Sequence, residues 1–161
     1  MHKIRHVLGE ERGQSLVEFT LSASILLMSI FGILECARAL YIYHFVSYAA
    51  QQATRYAIVR GAHWTASCST TSIADCNATG TDIQKYVQGI APPGVTSSSI
   101  TVTATWPAAT VAGASSNCSS TASTDGCLIK VTVQYPFSFI GPFLPKTAMS
   151  FSATSVETVQ E

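Results

Sequence analysis

Residues 14–43 read QSLVEFTLSASILLMSIFGILECARALYIY, and this stretch decides the architecture. Its centre, Phe19 to Leu34, is a run of sixteen residues with no charge and no proline. Sixteen is short of the roughly 20 apolar residues that cross a bilayer core. The flanks supply the rest: Gln14 to Val17 before the run, and Ala39 to Tyr43 after it, with only Glu18, Glu35 and Arg38 interrupting. The Phe19–Leu34 run is apolar on every face, whereas a surface helix of a soluble domain has one apolar stripe. One transmembrane helix is therefore expected. Lys3, Arg5 and Arg12 lie on its N-terminal side. By the positive-inside rule that end is cytoplasmic and the rest of the chain lies outside a bacterial inner membrane. A cleaved secretory signal is the competing reading, with Ser22-Ala23-Ser24 and Ala37-Arg38-Ala39 as the small-residue sites. The first falls inside the apolar run and the second in a segment that continues as good helix.

The helical pattern runs on beyond the apolar stretch. Ile42, Phe45, Val46, Ala49, Ala53, Tyr56 and Ala57 recur at spacings of three and four, and the first glycine after Gly32 is Gly61. One helix from about Gln14 to Arg60 would be about 70 Å long at 1.5 Å per residue. Its second half carries a narrow stripe of small residues, Ala49, Ala50, Ala53 and Ala57. Such a stripe lets a packed layer approach closely, and ordinary core packing accounts for it. Glu35 and Arg38, three apart, are neighbours on one face and are expected to pair within the helix.

The remainder of the chain differs in character. Over all 161 residues 47% are hydrophobic and only 11% charged, against about 25% charged in an ordinary soluble domain. Serine and threonine fill the gap, mostly past residue 64. Nine Lys+Arg balance nine Asp+Glu, so no basic surplus points to nucleic acid. Residues 63–81 read as loop. Thr81-Asp82 is placed to cap a short helix, Ile83 to Gly89, ended by Pro92-Pro93-Gly94. Ser99 to Trp106, Leu128 to Tyr135 and Ala148 to Thr158 alternate with period two and read as strands. The stretches 107–126 and 136–145 connect them. The expected fold is α+β: a long N-terminal transmembrane helix whose second half packs on a small antiparallel sheet, with disulfide-bonded loops. The expected organisation is a leader over 1–13, a transmembrane and extended amphipathic helix over 14–62, and an extracytoplasmic β-rich head over 63–161.

Five cysteines divide as four plus one. Cys68, Cys76, Cys118 and Cys127 fall in polar loops outside the membrane, and four cysteines allow three pairings. The local pairing, Cys68 with Cys76 and Cys118 with Cys127, is favoured. Each such short loop contributes about 2–3 kcal/mol in the chain-entropy model. Zinc is disfavoured, because no pair has the Cys-x2-Cys or Cys-x4-Cys spacing and an oxidising compartment removes free thiolates. Cys36 lies in the apolar helix as a small hydrophobe.

Glu18 is an ionisable residue at the edge of an apolar span, which is costly and marks function. It is the fifth residue after Gly13. The words Gly13-Gln14-Ser15-Leu16-Val17-Glu18-Phe19, behind a short basic leader, resemble a type IV prepilin processing site. That resemblance implies cleavage between Gly13 and Gln14 by a membrane prepilin peptidase, leaving Glu18 as the fifth mature residue. The new α-amino group at Gln14 would be largely positive at neutral pH. Buried, it would need a carboxylate from a neighbouring subunit. Further along, Phe31-Gly32-Ile33-Leu34-Glu35-Cys36-Ala37-Arg38-Ala39-Leu40-Tyr41 and Ala49-Ala50-Gln51-Gln52-Ala53-Thr54-Arg55-Tyr56-Ala57 resemble the TadE-like family. Lys130-Val131-Thr132-Val133-Gln134-Tyr135-Pro136-Phe137, Phe143-Leu144-Pro145 and Met149 to Glu157 fit it too. The family implies a minor pseudopilin, or an assembly component, of a tight-adherence pilus or secretion system. The implied partners are the bilayer, the peptidase, other pilin or pseudopilin subunits and, indirectly, a platform protein and a secretion ATPase.

No catalytic set is legible. There is no His-Glu-x-x-His, no Gly-x-Ser-x-Gly and no glycine-rich phosphate loop, so neither enzyme activity nor any cofactor is expected. His63 and Asp75 could meet, but two solvated loop residues are the plainer reading. The Asn-x-Ser/Thr triplets at Asn77 and Asn117 are what chance gives in so Ser/Thr-rich a chain. The competing function is a signal-anchored extracytoplasmic binding domain that never enters a filament.

Overall fold

A computed structural model describes residues 7–60, 78–107, 118, 126–141 and 146–159, with side chains from Gly13 onward. The expected Cys68–Cys76 bridge and the His63–Asp75 encounter lie outside these residues, as do Asn77 and Asn117.

Helix α1 spans Val7–Val59, 53 residues without a break. It begins before Gln14, so the last residues of the expected leader continue the same helix. Hydroxyls in its apolar half turn back onto the backbone. Thr20 donates to the Val17 carbonyl at 2.9 Å, Ser24 to Thr20 at 2.7 Å and Ser29 to Leu26 at 2.7 Å. Satisfied in this way, they do not present bare donors to an apolar surrounding.

Helix α2 spans Gly80–Gly89. Its cap is Thr79 rather than the expected Thr81-Asp82. The Thr79 hydroxyl accepts from the Asp82 amide, and the Asp82 carboxylate accepts from the Thr79 amide, forming a capping box. Thr81 lies inside the first turn and exposed. A 3₁₀ turn, Ser97–Ser99, then leads into β1, Thr101–Thr105. Strand β2 covers Leu128–Phe137 and β3 Met149–Thr158. The sheet order is β1-β2-β3, all antiparallel, with Thr101 opposite Gln134 and Val133 opposite Ala153. β2 thus runs on through Pro136, where the sequence had predicted a connection. β1 begins opposite Gln134, so at Pro136 the strand has only β3 beside it. A residue lacking an N–H is tolerated where a strand borders an edge.

Both helices cover one face of the sheet. Ile129, Val131 and Val133 of β2 are fully buried there, with Tyr135 and Phe137 nearly so. The alanine stripe meets them: Ala49, Ala50, Ala53 and Ala57 are at most 2% exposed. Small side chains allow the helix backbone to approach the strands, and Val46 and Ile42 fill the space toward the apolar end of the helix. Ile83 and Val87 of α2 complete this core. The opposite face of the sheet presents Thr101, Thr103, Lys130, Gln134 and Thr154 to solvent. Its Thr132 and Thr154 hydroxyls bond to each other at 2.9 Å. β2 and β3 are held at the end remote from the apolar half of α1 by a further pair of bonds. Val159 N–H donates to Cys127 C=O at 2.8 Å, and Gly126 N–H to Val159 C=O at 3.1 Å.

Candidate processing and assembly site

Gly13, Gln14 and Glu18 lie on consecutive turns of α1, all exposed. A Cβ built on Gly13 meets nothing within 4 Å. Space therefore does not demand glycine here. Gln14 and Glu18 are four apart and share a face, one turn or about 6 Å along the axis. Among the described residues Glu18 has no hydrogen-bond or ion-pair partner. It stands among Leu16, Val17, Phe19 and Leu21, each more than 60% exposed. An ionisable side chain in such an apolar setting is costly and marks a position to be tested for function.

The same exposure continues along the helix through Ile25, Leu26, Leu27, Ile30, Phe31, Ile33 and Leu34. Gln14 to Leu34 spans about 31 Å of helix, close to the roughly 30 Å of a bilayer hydrocarbon core. Within Gly13–Val59 a window of mean hydropathy 2.0 has none of its residues buried against the rest of the chain. A soluble core helix would have that window covered; here it is bare, as in a membrane anchor.

At Glu35 the environment changes abruptly. Arg38 Nη1 donates to Glu35 Oε2 at 3.0 Å, forming the intrahelical pair. The pair reaches further than the helix. Glu35 Oε1 accepts from the backbone N–H groups of Ile140 and Gly141 at 3.1 and 3.2 Å. Arg38 Nη2 donates to the Ser138 carbonyl at 2.7 Å, and its guanidinium lies 4.7 Å from the centre of the Phe137 ring. One carboxylate and one guanidinium thus clasp the segment leaving β2 against the helix, where the apolar half ends. These contacts bridge 100 residues or more of sequence, and only Arg-Glu spacing within the helix was legible beforehand. On the other flank the Tyr41 hydroxyl donates to the Pro93 carbonyl at 3.3 Å.

The far end of the head is closed by other means. Cys118 and Cys127 form a disulfide, and Cys127 is fully buried. Cys36 is a free, exposed thiol on α1. It lies on the helix surface, one residue past Glu35. Tyr56 stacks on Tyr86 at 4.4 Å with the Arg60 guanidinium 4.1 Å from its ring centre. Burial pushes the Tyr56 hydroxyl above its ordinary pKa, and the Arg60 charge opposes that shift. Among the described residues no three His, Cys, Asp or Glu side chains cluster to hold a metal.

The family model described as TadE-like protein matches residues 13–55. That stretch, just over a quarter of the chain, is similar to the TadE-like family. The match starts at Gly13, takes in Glu18, Glu35 and Arg38, and ends four residues before α1 does. The sheet lies beyond it. No curated protein and no solved structure matches the chain.

Proposed function

We propose that the chain is a minor pseudopilin or assembly component of a tight-adherence pilus or related secretion system, processed by a prepilin peptidase between Gly13 and Gln14. In this reading 1–13 is the leader, α1 to about residue 62 is anchor and spine, and the remainder is an extracytoplasmic head. The N-terminus faces the cytoplasm and the head lies outside the inner membrane. The observation that carries the reading is Glu18, a carboxylate with no partner in its own chain, one turn from Gln14 on a bare apolar helix. After cleavage the Gln14 α-amino group of a neighbouring subunit would neutralise it. A charge pair then forms only when helices pack side by side, which couples processing to recruitment. The TadE-like match beginning at Gly13 supports the same boundary.

Cleavage would remove Lys3, Arg5 and Arg12 with Glu10 and Glu11, leaving six basic against seven acidic residues. Mass spectrometry of the protein from native membranes should yield a peptide beginning at Gln14. A mature protein that retains Met1, or one cut after Ala23 or Ala39, overturns processing at Gly13 and favours a signal-anchored binding domain.

A further inference from the structure

We propose that Ile140, in the segment leaving β2, dips into the membrane interface beside the chain's own helix and fixes the height of the head on the bilayer. This rests on the reading of Gln14–Leu34 as a membrane span. Ile140 is 74% exposed and Met149, at the start of β3, is 50% exposed. Single exposed apolar side chains are ordinary on a protein surface. What distinguishes Ile140 is its level. Its backbone N–H is bonded to Glu35, the first charged residue after the apolar run, so it sits at the depth where the hydrocarbon ends. Met149 pairs with Phe137, whose ring touches the Arg38 guanidinium one turn further out.

The occupant follows from continuity. Phe31, four residues before Glu35 and on its face of the helix, is 52% exposed, so the apolar surface of the span runs on to Ile140. The polar groups that would resist this placement are already satisfied. The Ile140 and Gly141 amides end on Glu35, and the Ser138 carbonyl takes the Arg38 guanidinium. Burying an unpaired amide is what normally keeps a loop out of the interface. This one presents an isoleucine whose amide N–H is already paired.

The test uses the full chain with Cys36→Ser, so that a single introduced thiol carries an environment-sensitive fluorophore. Labels at Ile140→Cys, Ile30→Cys and Thr105→Cys are compared in vesicles of phosphatidylethanolamine with a minority of phosphatidylglycerol, with and without spin-labelled lipid. Ile30 reports the span. Thr105, opposite Lys130 toward the far end of the sheet, reports bulk water. Blue-shifted emission at Ile140 and lipid quenching several-fold above that at Thr105 is the expected result. If Ile30 is quenched and Ile140 stays as solvent-like as Thr105, the interfacial contact is overturned while the anchor stands. If Ile30 itself is not quenched, the membrane span fails and the proposal with it. A label at Ile140 that is blue-shifted without lipid quenching means protein covers it, such as a second copy, and likewise overturns the proposal.

Discussion

Replacing Glu35 with alanine removes one carboxylate and releases three contacts at once. The Ile140 and Gly141 amides lose their acceptor, and Arg38 loses its ion pair. Hydrogen bonds to a charged group contribute about 1.5–3 kcal/mol each. Ile140 is largely exposed, so water can take over part of the role and the low end applies to its amide. The ion pair adds under about 1 kcal/mol, because Arg38 is itself 35% exposed. The contacts share one side chain and do not sum fully, which leaves a local loss of about 2–3 kcal/mol. Each 1.4 kcal/mol is tenfold in an equilibrium, so exchange of the Ile140 and Gly141 amides should quicken by about 30- to 150-fold. Glu35→Gln retains a neutral acceptor and should lose about 1 kcal/mol. Hydrogen exchange of the membrane protein in micelles measures both, with Val131 in the sheet core as the internal reference. If Glu35→Ala leaves exchange at 140 and 141 unchanged, the clasp does not hold the segment and the argument built on it fails.

Other perturbations separate the remaining readings. Glu18→Ala should still reach the membrane but co-purify with pilus subunits at least about a hundredfold less tightly, since orphaning one member of a buried pair costs about 3–5 kcal/mol. Glu18→Asp should be intermediate, and undiminished recruitment by Glu18→Ala would make Glu18 a bystander. Cys118→Ser should lower stability to urea by about 2–3 kcal/mol, and dithiothreitol should lower the wild type further than it lowers the variant by about that amount. Tyr56 lies 22 residues past Leu34, about 33 Å beyond the membrane edge. Its folded pKa is raised above 10.0, so its contribution is full below that pH and is lost as pH rises through the folded value. Thermal midpoints of wild type and Tyr56→Phe should therefore keep a constant gap up to about pH 10 and change it only above. A gap that moves between pH 7 and 9 would contradict the assigned cause.

What could be read from sequence was what repeats along a single element. The Phe19–Leu34 run and the Ile42 to Ala57 spacing are local, and the helix follows. The alternations in Ser99–Trp106, Leu128–Tyr135 and Ala148–Thr158 are equally local, and three antiparallel strands follow, the first trimmed to Thr101–Thr105. Boundaries depended on competing short signals. Thr79 and Thr81 each precede a plausible first turn, and only the reciprocal bond with Asp82 selects Thr79. Pro136 reads as a strand breaker until the late start of β1, at Thr101 opposite Gln134, is known. The clasp of Glu35 and Arg38 was invisible for a different reason. Its other half is backbone, the amides of Ile140 and Gly141 and the carbonyl of Ser138, and backbone groups leave no residue signature at a distance of a hundred positions. Gly13 and Glu18 were singled out by spacing alone, which is why their role is left to the peptide and recruitment measurements.

The unbroken run of α1 from the apolar half into the sheet has a mechanical consequence. With no proline or kink between Gly13 and Val59, and with the clasp at Glu35 blocking rotation of the head, helix and sheet form a stiff lever pivoting at the bilayer surface. Val59 stands about 36 Å beyond Glu35, so a change of about 10° in helix tilt swings the far end of the head sideways by about 6 Å. Neighbours that pack against the anchor would thereby steer the outer face of the sheet, and tilt within the membrane would be read out as displacement at the tip.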